Sequence, residues 1–415
     1  YQGANFMIVP TIGLSGTRDA NRITVPSLKD GGATIDGQYT NLTVKLRQNS
    51  WWRLQGFNVK QSSGSVIEIG DGIAGANNNI VRRVVAWDAP MDQNTHVVQI
   101  WASSGNLFED VGLFGSGRKT FVDYLAPSGS PGNVCRRCWG RWEGSVRTDP
   151  KQTFSLSYEA YNFTCENCLA TWSAESQPQT YIGQYPPTPF DPCRGYSFTN
   201  FAVDNAYGPF SGDIANSNPT NWNTKLLGSL AYFKSTDRLL NTDGCRGSTP
   251  KGVNLQWSGQ TIKDVVVIVS PSNPHFATQN MESTGIGGYF LTGTVSLSTA
   301  DKFTSVDNNS DAFSASWSRT NYATGTSIGA VPNVWTTSTG ANLCHRYVGG
   351  VRTQTPLWPW PMNERIKIAT AAAGRYTGPC NTCAWPGGQA PARTQTDVQA
   401  DIEALLGAIP AQCKS

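Results

Sequence analysis

One four-residue motif recurs along most of the chain, and its spacing constrains the fold more than any other feature. The motif is an apolar residue, two polar or small residues and a second apolar residue. Its first copies are spaced by 27 residues: LQGF at 54–57, VRRV at 81–84, FEDV at 108–111 and CRRC at 135–138. Later copies follow at steps of 30, 33, 29 and 35 residues: CENC at 165–168, FTNF at 198–201, LGSL at 227–230 and IKDV at 262–265. A repeat of this length, with insertions in later loops, predicts stacked units of short strands.

The spacing inside the motif predicts a bend. Side chains alternate along a strand, so two residues three positions apart cannot both face inward from one straight strand. We therefore expect the two middle residues to form a corner between consecutive strands. An amphipathic helix would need apolar residues at i, i+3, i+4 and i+7, and these segments lack that pattern. The sequence thus predicts an all-β solenoid.

This pattern resembles the right-handed parallel β-helix of the pectate-lyase-like superfamily over roughly residues 20–300. The opening YQGAN, followed by LSGTRDANRITVPS, looks like the first coil of such secreted proteins, which implies that the sequence begins within a coil. The resemblance implies a β-helix over residues 1–300 and a C-terminal extension over 301–415. It is informative about the fold and says much less about function.

The C-terminal extension is predicted to be irregular. The segment PLWPWP at 356–361 is expected to form a rigid strap along the solenoid. Residues 396–409 form the clearest predicted helix, with a Thr396 cap and an apolar stripe that includes Val398, Ile402 and Ile409. Because solenoids need their open strand edges covered, we expect this helix to cap one end.

The two Cys-x-x-Cys pairs have several possible roles. If Cys135 stacks on Cys165 and Cys138 on Cys168, the spacing of about 4.8 Å between coils falls in the Cα range of a disulfide. Disulfides or a reduced cysteine stack are therefore favoured. A four-cysteine zinc site and a redox pair remain alternatives, although the predicted bend places the two cysteines of each pair on different walls. Haem attachment is excluded because no histidine follows either pair.

The ten cysteines also indicate an oxidising, extracellular location. The other six, whose pairing the sequence leaves open, are expected to form disulfides that tie down the tail: Cys193, Cys245, Cys344, Cys380, Cys383 and Cys413. Glycosylation sequons begin at Asn41, Asn162 and Asn308. The formal net charge is only +3, which argues against nucleic acid or an anionic membrane as a partner. No apolar run approaches the ~18 residues of a membrane span.

The middle residues of successive motifs alternate in charge. They read Arg-Arg at 82–83, Glu-Asp at 109–110, Arg-Arg at 136–137 and Glu-Asn at 166–167. In a stack, each arginine would lie between acidic residues of the coils above and below. We favour this structural ladder over the alternative, an arginine cluster that binds an acidic polysaccharide.

Catalytic motifs of the resembled superfamily are missing. A polysaccharide lyase needs a base and a cation, Ca²⁺ or arginine, to neutralise the uronate carboxylate. Neither the W-x-D-H motif of pectate lyases nor the Asp-Asp and Gly-His pairs of polygalacturonases occurs. The best remaining candidates are Arg118, Lys119, Asp123, Arg141 and Glu143, for which a loop held by Arg–Glu pairing is the competing interpretation. No metal site is predicted, and calcium is expected only if the protein is a lyase.

Several aromatic residues are predicted to face outward: Trp87, Phe114, Trp139, Trp142 and Trp172. Exposed aromatic patches usually contact something. The sequence leaves three possibilities open, namely stacking on sugar rings, coverage by the chain's own loops, and contact with another subunit.

Two functions follow. The favoured hypothesis is a secreted structural or surface protein that self-assembles into a filament, a sheath or an adhesin. It is motivated by the outward aromatics, the missing catalytic motifs and an unfinished first coil that strand addition could complete. The alternative is a lyase or glycoside hydrolase acting on acidic polysaccharide. A trimeric spike would share the fold. The expected partner is a second copy of the chain or a cell-surface polysaccharide.

Overall fold

Short parallel strands stack into three walls around one apolar core. The computed structural model describes residues 7–127, 129–144, 151–157, 160–172, 198–204, 225–233, 251–255, 261–268, 286–291, 335, 343–374, 393 and 395–415. The first wall contains β1 (Ile23–Pro26), β4 (Trp52–Gln55), β7 (Ile80–Arg82), β10 (Leu107–Glu109), β13 (Val134–Arg136), β16 (Thr164–Glu166), β19 (Lys225–Leu227) and β22 (Thr261–Ile268).

The other two walls are built in the same way. The second contains β2 (Thr34–Asp36), β5 (Asn58–Lys60), β8 (Val85–Trp87), β11 (Gly112–Ser116), β14 (Trp139–Gly144), β17 (Leu169–Trp172) and β20 (Leu230–Phe233), and it meets the first wall at β22, which also pairs with β23 (Ile286–Leu291). The third contains β3 (Val44–Leu46), β6 (Ile67–Ile69), β9 (His96–Trp101), β12 (Lys119–Tyr124), β15 (Lys151–Ser157), β18 (Phe198–Asp204) and β21 (Lys251–Leu255). The predicted parallel β-helix is confirmed.

The corner between the first and second walls lies where the motif predicts it. Val81 is the Cα partner of Phe108, and Phe108 is the partner of Cys135, so the 27-residue step is the rise of one coil. The third residue of each motif has a left-handed backbone, with φ of 51° at Arg83 and 51° at Arg137. This conformation turns the chain sharply, which allows both flanking apolar side chains to face inward.

Two later copies of the motif were aligned wrongly. FTNF at 198–201 belongs to the third wall, where Phe201 pairs with Phe154. In the next coil Cys165 pairs with Leu226, so LLGS at 226–229 is the corner and the predicted LGSL is displaced by one residue. Gly228 has the left-handed φ of 54° that the third position requires.

An asparagine ladder that the sequence analysis did not identify supports the corner between the third and first walls. The Asn79 amide N–H donates to Asn106 Oδ1 at 2.9 Å, and the Asn106 N–H donates to Asn133 Oδ1 at 3.0 Å. All three side chains are buried. They repeat at 27 residues and satisfy backbone groups that would otherwise be buried without partners.

The predicted charge ladder is present at the first corner. Arg136 Nε lies 2.6 Å from Glu166 and its Nη1 lies 3.4 Å from Glu109, which also pairs with Arg82 at 3.2 Å. These ion pairs join consecutive coils and account for the arginines structurally. No separate arginine cluster is needed to explain their spacing.

The C-terminal segment packs on the outer face of the second wall. It consists of a hairpin, β24 (His345–Val348) and β25 (Val351–Pro356), and two helices, α1 (Asn363–Ala372) and α2 (Val398–Leu406). Leu357, Trp358 and Trp360 are buried there, so the predicted strap is confirmed. The Cys344–Cys413 disulfide closes this segment.

The predicted terminal helix exists, but two details differ. Its N-cap is Asp397, whose carboxylate accepts from the Ala400 N–H, and not Thr396. Val398 and Ile402 pack against the side of the second wall, whose apolar outer face needs a cover, and not over an end of the stack. The predicted boundary at residue 300 lies outside the described residues. Among those described, no helix is long and apolar enough to cross a membrane.

Candidate functional site

The five predicted site residues do not form one site. Arg118 and Lys119 lie at the third wall, Arg141 and Glu143 lie on the second wall beneath the C-terminal segment, and Asp123 faces the core. All five are at least nine-tenths buried. The predicted clamp is therefore wrong as a constellation, because residues just beyond one corner diverge onto two walls.

Arg141 and Glu143 belong to a buried ion cluster. Arg141 Nε lies 2.8 Å from Glu143 Oε1, and Arg393 of the C-terminal segment lies 2.5 Å from Glu143 Oε2. Arg393 also forms two hydrogen bonds to Asp88. Burial acts to raise the pKa of Glu143, but the two guanidinium groups outweigh it and the pKa is lowered. The cluster fastens the C-terminal segment to the solenoid, which is the Arg–Glu pairing that the competing interpretation expected.

Asp123 lies inside the solenoid. Its Oδ2 accepts from Asn133 Nδ2 at 2.9 Å, at the end of the asparagine ladder, and its Oδ1 has no hydrogen-bond partner among the described residues. Burial raises the pKa of Asp123 to about 7. This carboxyl group therefore faces the core and not a substrate.

A groove opens on the outer face of the third wall. It has a volume of about 280 Å³ and is lined by Asn94, His96, Gln99, Trp101, Arg118, Tyr124 and Leu125. Trp101 and Leu125 form its exposed mouth, at 38% and 42% exposure, whereas His96 and Arg118 lie on its floor at 1% and 2%. Its size is just below the range of about 300–1,000 Å³ typical of ligand sites, which suits one unit of a longer ligand.

Hydrogen bonds fix the polar groups of the groove. The Tyr124 hydroxyl lies 3.0 Å from His96 Nε2. Arg118 Nη1 donates to Asn94 Oδ1 at 2.9 Å, and Gln99 Oε1 accepts from Ser65 Oγ at 2.8 Å. The groove thus holds an orientated guanidinium group beside a phenol–imidazole pair.

The charges around the groove are predominantly positive. Lys119 is fully buried, and its Nζ lies 5.4 Å from the centroid of the Tyr124 ring. In the adjacent coils Glu68 is the strand partner of Gln99, and its charge is matched by Lys45 at 2.6 Å. Arg118 and Lys119 therefore favour an anionic ligand.

Three of the five outward aromatics are covered by the chain itself. Trp87, Phe114 and Trp139 stack on consecutive coils of the second wall and pack against the C-terminal segment. Trp142 was expected to face outward, but it lies in the inner core, where its indole N–H donates to the Gly117 carbonyl, because it follows Arg141 on the alternate face. The Trp172 side chain lies outside the described residues.

The four motif cysteines are stacked as predicted, with Cys135 and Cys165 as Cα partners. They are free thiols and not the predicted disulfides. The Cys138 and Cys168 thiols instead donate to carbonyl groups of the neighbouring coil, and burial raises the pKa of both well above its ordinary value. Protonated thiols do not suit zinc or redox chemistry, and no group of three or more potential ligands within the described part is arranged for a metal ion.

The remaining sequence predictions stay predictions. Cys193, Cys245, Cys380 and Cys383 lie outside the described residues, as does Asn308. Asn41 lies in a partly exposed turn, and the Asn162 amide donates to the Ser130 carbonyl at 2.9 Å.

The groove residues other than Arg118 were missed because the third wall lacks the 27-residue step. Tyr124 is the Cα partner of Trp101, 23 positions earlier, and Lys119 is the partner of His96. A search for aligned aromatic and basic residues at that different step would have paired them.

Comparisons with known proteins give a similar fold and no family. No family model matches the sequence. The curated proteins contain no match either. A crystal structure of pectate lyase Pel9A is similar, with a TM-score of 0.38 and 15% identity over 72% of this chain and 67% of that chain.

Proposed function

We propose that this protein binds acidic polysaccharide in the third-wall groove. The observation that carries this proposal is the placement of Arg118 on the floor of a groove whose mouth is aromatic. A uronate unit presents a carboxylate, hydroxyl groups and an apolar ring face. The groove offers a matching partner for each.

The carboxylate is the group that Arg118 would bind. Charge-assisted hydrogen bonds from a guanidinium group to a carboxylate are about twice as strong as neutral ones. Asn94 already orientates the guanidinium group, which limits the conformational entropy lost on binding. Lys119, beneath the Tyr124 ring, adds positive charge to the same region.

The sugar ring would stack at the mouth. Trp101 and Tyr124 are strand partners whose ring centroids lie 6.5 Å apart. Aromatic rings bury the apolar face of a sugar while its hydroxyl groups remain solvated. Gln99 and Asn94 supply side-chain amides for those hydroxyl groups.

An extracellular location accompanies this proposal, supported by the Cys344–Cys413 disulfide. Self-assembly into a filament stays a prediction. Trp87, Phe114 and Trp139, which motivated it, contact the chain's own C-terminal segment and no longer argue for a second copy.

Binding can be tested by calorimetric titration with polygalacturonate, alginate and hyaluronan, with dextran as a neutral control. Wild-type protein should bind at least one acidic polymer and not dextran. Losing a charged hydrogen bond costs about 1.5–3 kcal/mol, so Arg118→Gln should weaken binding at least about tenfold. Arg18→Gln, at an exposed position, is the matched control. Equal affinity of Arg118→Gln, at an unchanged melting temperature, would refute the proposal.

A further inference from the structure

We propose that Tyr124 and His96 form an acid–base pair that cleaves the bound polysaccharide by β-elimination, an inference that rests on the proposed function. None of the sequence motifs pointed to these residues. They come together because β9 and β12 are adjacent strands of the third wall.

The geometry suits proton transfer. The Tyr124 hydroxyl and His96 Nε2 are 3.0 Å apart, within the range for direct proton transfer between heteroatoms. Both residues line the groove together with Arg118. The two rings contact each other edge to face, with centroids 5.6 Å apart, which holds the hydroxyl group towards the imidazole.

The charges favour the reactive form of the pair. In the neutral His96 tautomer whose Nε2 accepts, the imidazole can take the phenol proton. The Lys119 ammonium lies 5.4 Å from the Tyr124 ring centroid, and its positive charge stabilises a phenolate. Arg118 is the cation available to neutralise the uronate carboxylate, which makes the adjacent C5–H bond more acidic. Glu68, the nearest acid on the same face, is paired with Lys45 and does not cancel this field.

The elimination step balances without a co-reactant. The Tyr124 phenolate removes the C5 proton of the uronate, the electron pair of that C–H bond forms the C4–C5 double bond, and the C4–O4 bond breaks. The Tyr124 hydroxyl then delivers the proton to O4 of the departing sugar. The products are an unsaturated uronate end and a free hydroxyl end, and the Tyr124–His96 pair returns to its starting state.

The test separates cleavage from binding. Wild-type protein is incubated with polygalacturonate, alginate and hyaluronan, with and without a chelator, and the unsaturated product is followed by ultraviolet absorbance. Tyr124→Phe keeps the ring beside Trp101 and Lys119 but lacks the hydroxyl group. Because acid–base catalysis contributes about 10²–10⁴-fold, this variant should form product at least about 100-fold more slowly with an affinity within about twofold of wild type.

Tyr161→Phe, which alters a tyrosine packed against the solenoid core, should cleave like wild type. Binding without any unsaturated product in the wild type would overturn this inference and leave the binding proposal intact. Equal cleavage rates for Tyr124→Phe and wild type would also overturn it. Absence of binding by folded wild-type protein would reject both proposals.

Discussion

Replacing Asp123 with asparagine should remove much of the protein's sensitivity to alkaline pH. Asp123 is fully buried, and burial raises its pKa from 3.8 to about 7. The folded state therefore retains a proton that the unfolded state releases. Stability is unaffected below about pH 4, falls as the pH rises through the interval between the two pKa values, and is lowest above pH 7.

The size of the effect follows from the pKa difference. A shift of about 3 pKa units corresponds to about 4 kcal/mol at 25 °C. Linkage between pH 5 and pH 8 gives a loss of about 3 kcal/mol in the free energy of unfolding that is attributable to this carboxyl group. Asparagine is a neutral isostere whose side-chain carbonyl can still accept from Asn133, so the variant should lack this loss.

Urea unfolding at half-unit intervals from pH 5 to pH 8 measures the difference. The free energy of unfolding of Asp123→Asn minus that of wild type should increase by about 3 kcal/mol over this range. Asp19→Asn, at a side chain that is 75% exposed, controls for the loss of one negative charge. Parallel pH profiles for Asp123→Asn and wild type would show that Asp123 is ionised in the folded state and would refute the reasoning.

Two further predictions concern the attachment of the C-terminal segment. Arg393→Leu leaves Asp88 and Glu143 buried without their partner, which should lower the free energy of unfolding by about 3–5 kcal/mol; chemical denaturation measures this, and a loss below 1 kcal/mol would show that the cluster does not fasten the segment. The Cys344–Cys413 disulfide spans 69 residues, so a Cys413→Ser variant should lose about 4 kcal/mol through chain entropy. An unchanged unfolding midpoint, with the wild-type disulfide verified by mass spectrometry, would contradict that estimate.

The first corner of the solenoid was predictable because it imposes two local requirements in every coil. Inward apolar side chains must flank it, and its third residue must accept a left-handed backbone. The second requirement could have corrected the misaligned copy, because Gly228 matches Asn167 and Gly56 only when the motif starts at Leu226. Two adjacent leucines left the apolar pattern alone ambiguous.

The groove was not predictable from the same repeat. Along the third wall, Ile67, Val98, Phe121 and Phe154 are successive Cα partners, so the steps are 31, 23 and 33 residues. Loops of different lengths shift this wall relative to the regular corner. The sequence therefore identified Arg118 and Lys119 as candidates but joined them to Arg141 and Glu143, which the second corner directs elsewhere.

The cover on the second wall has a consequence during synthesis. Asp88 lies 305 residues before Arg393, so the ribosome must add that length before the acid meets its cation. At about 5–20 residues per second, this takes about 15–60 seconds. Throughout that interval the nascent chain presents the Trp87, Phe114 and Trp139 stack without its cover. A chaperone that shields this aromatic surface would therefore act on the protein before its last coil and tail have been translated.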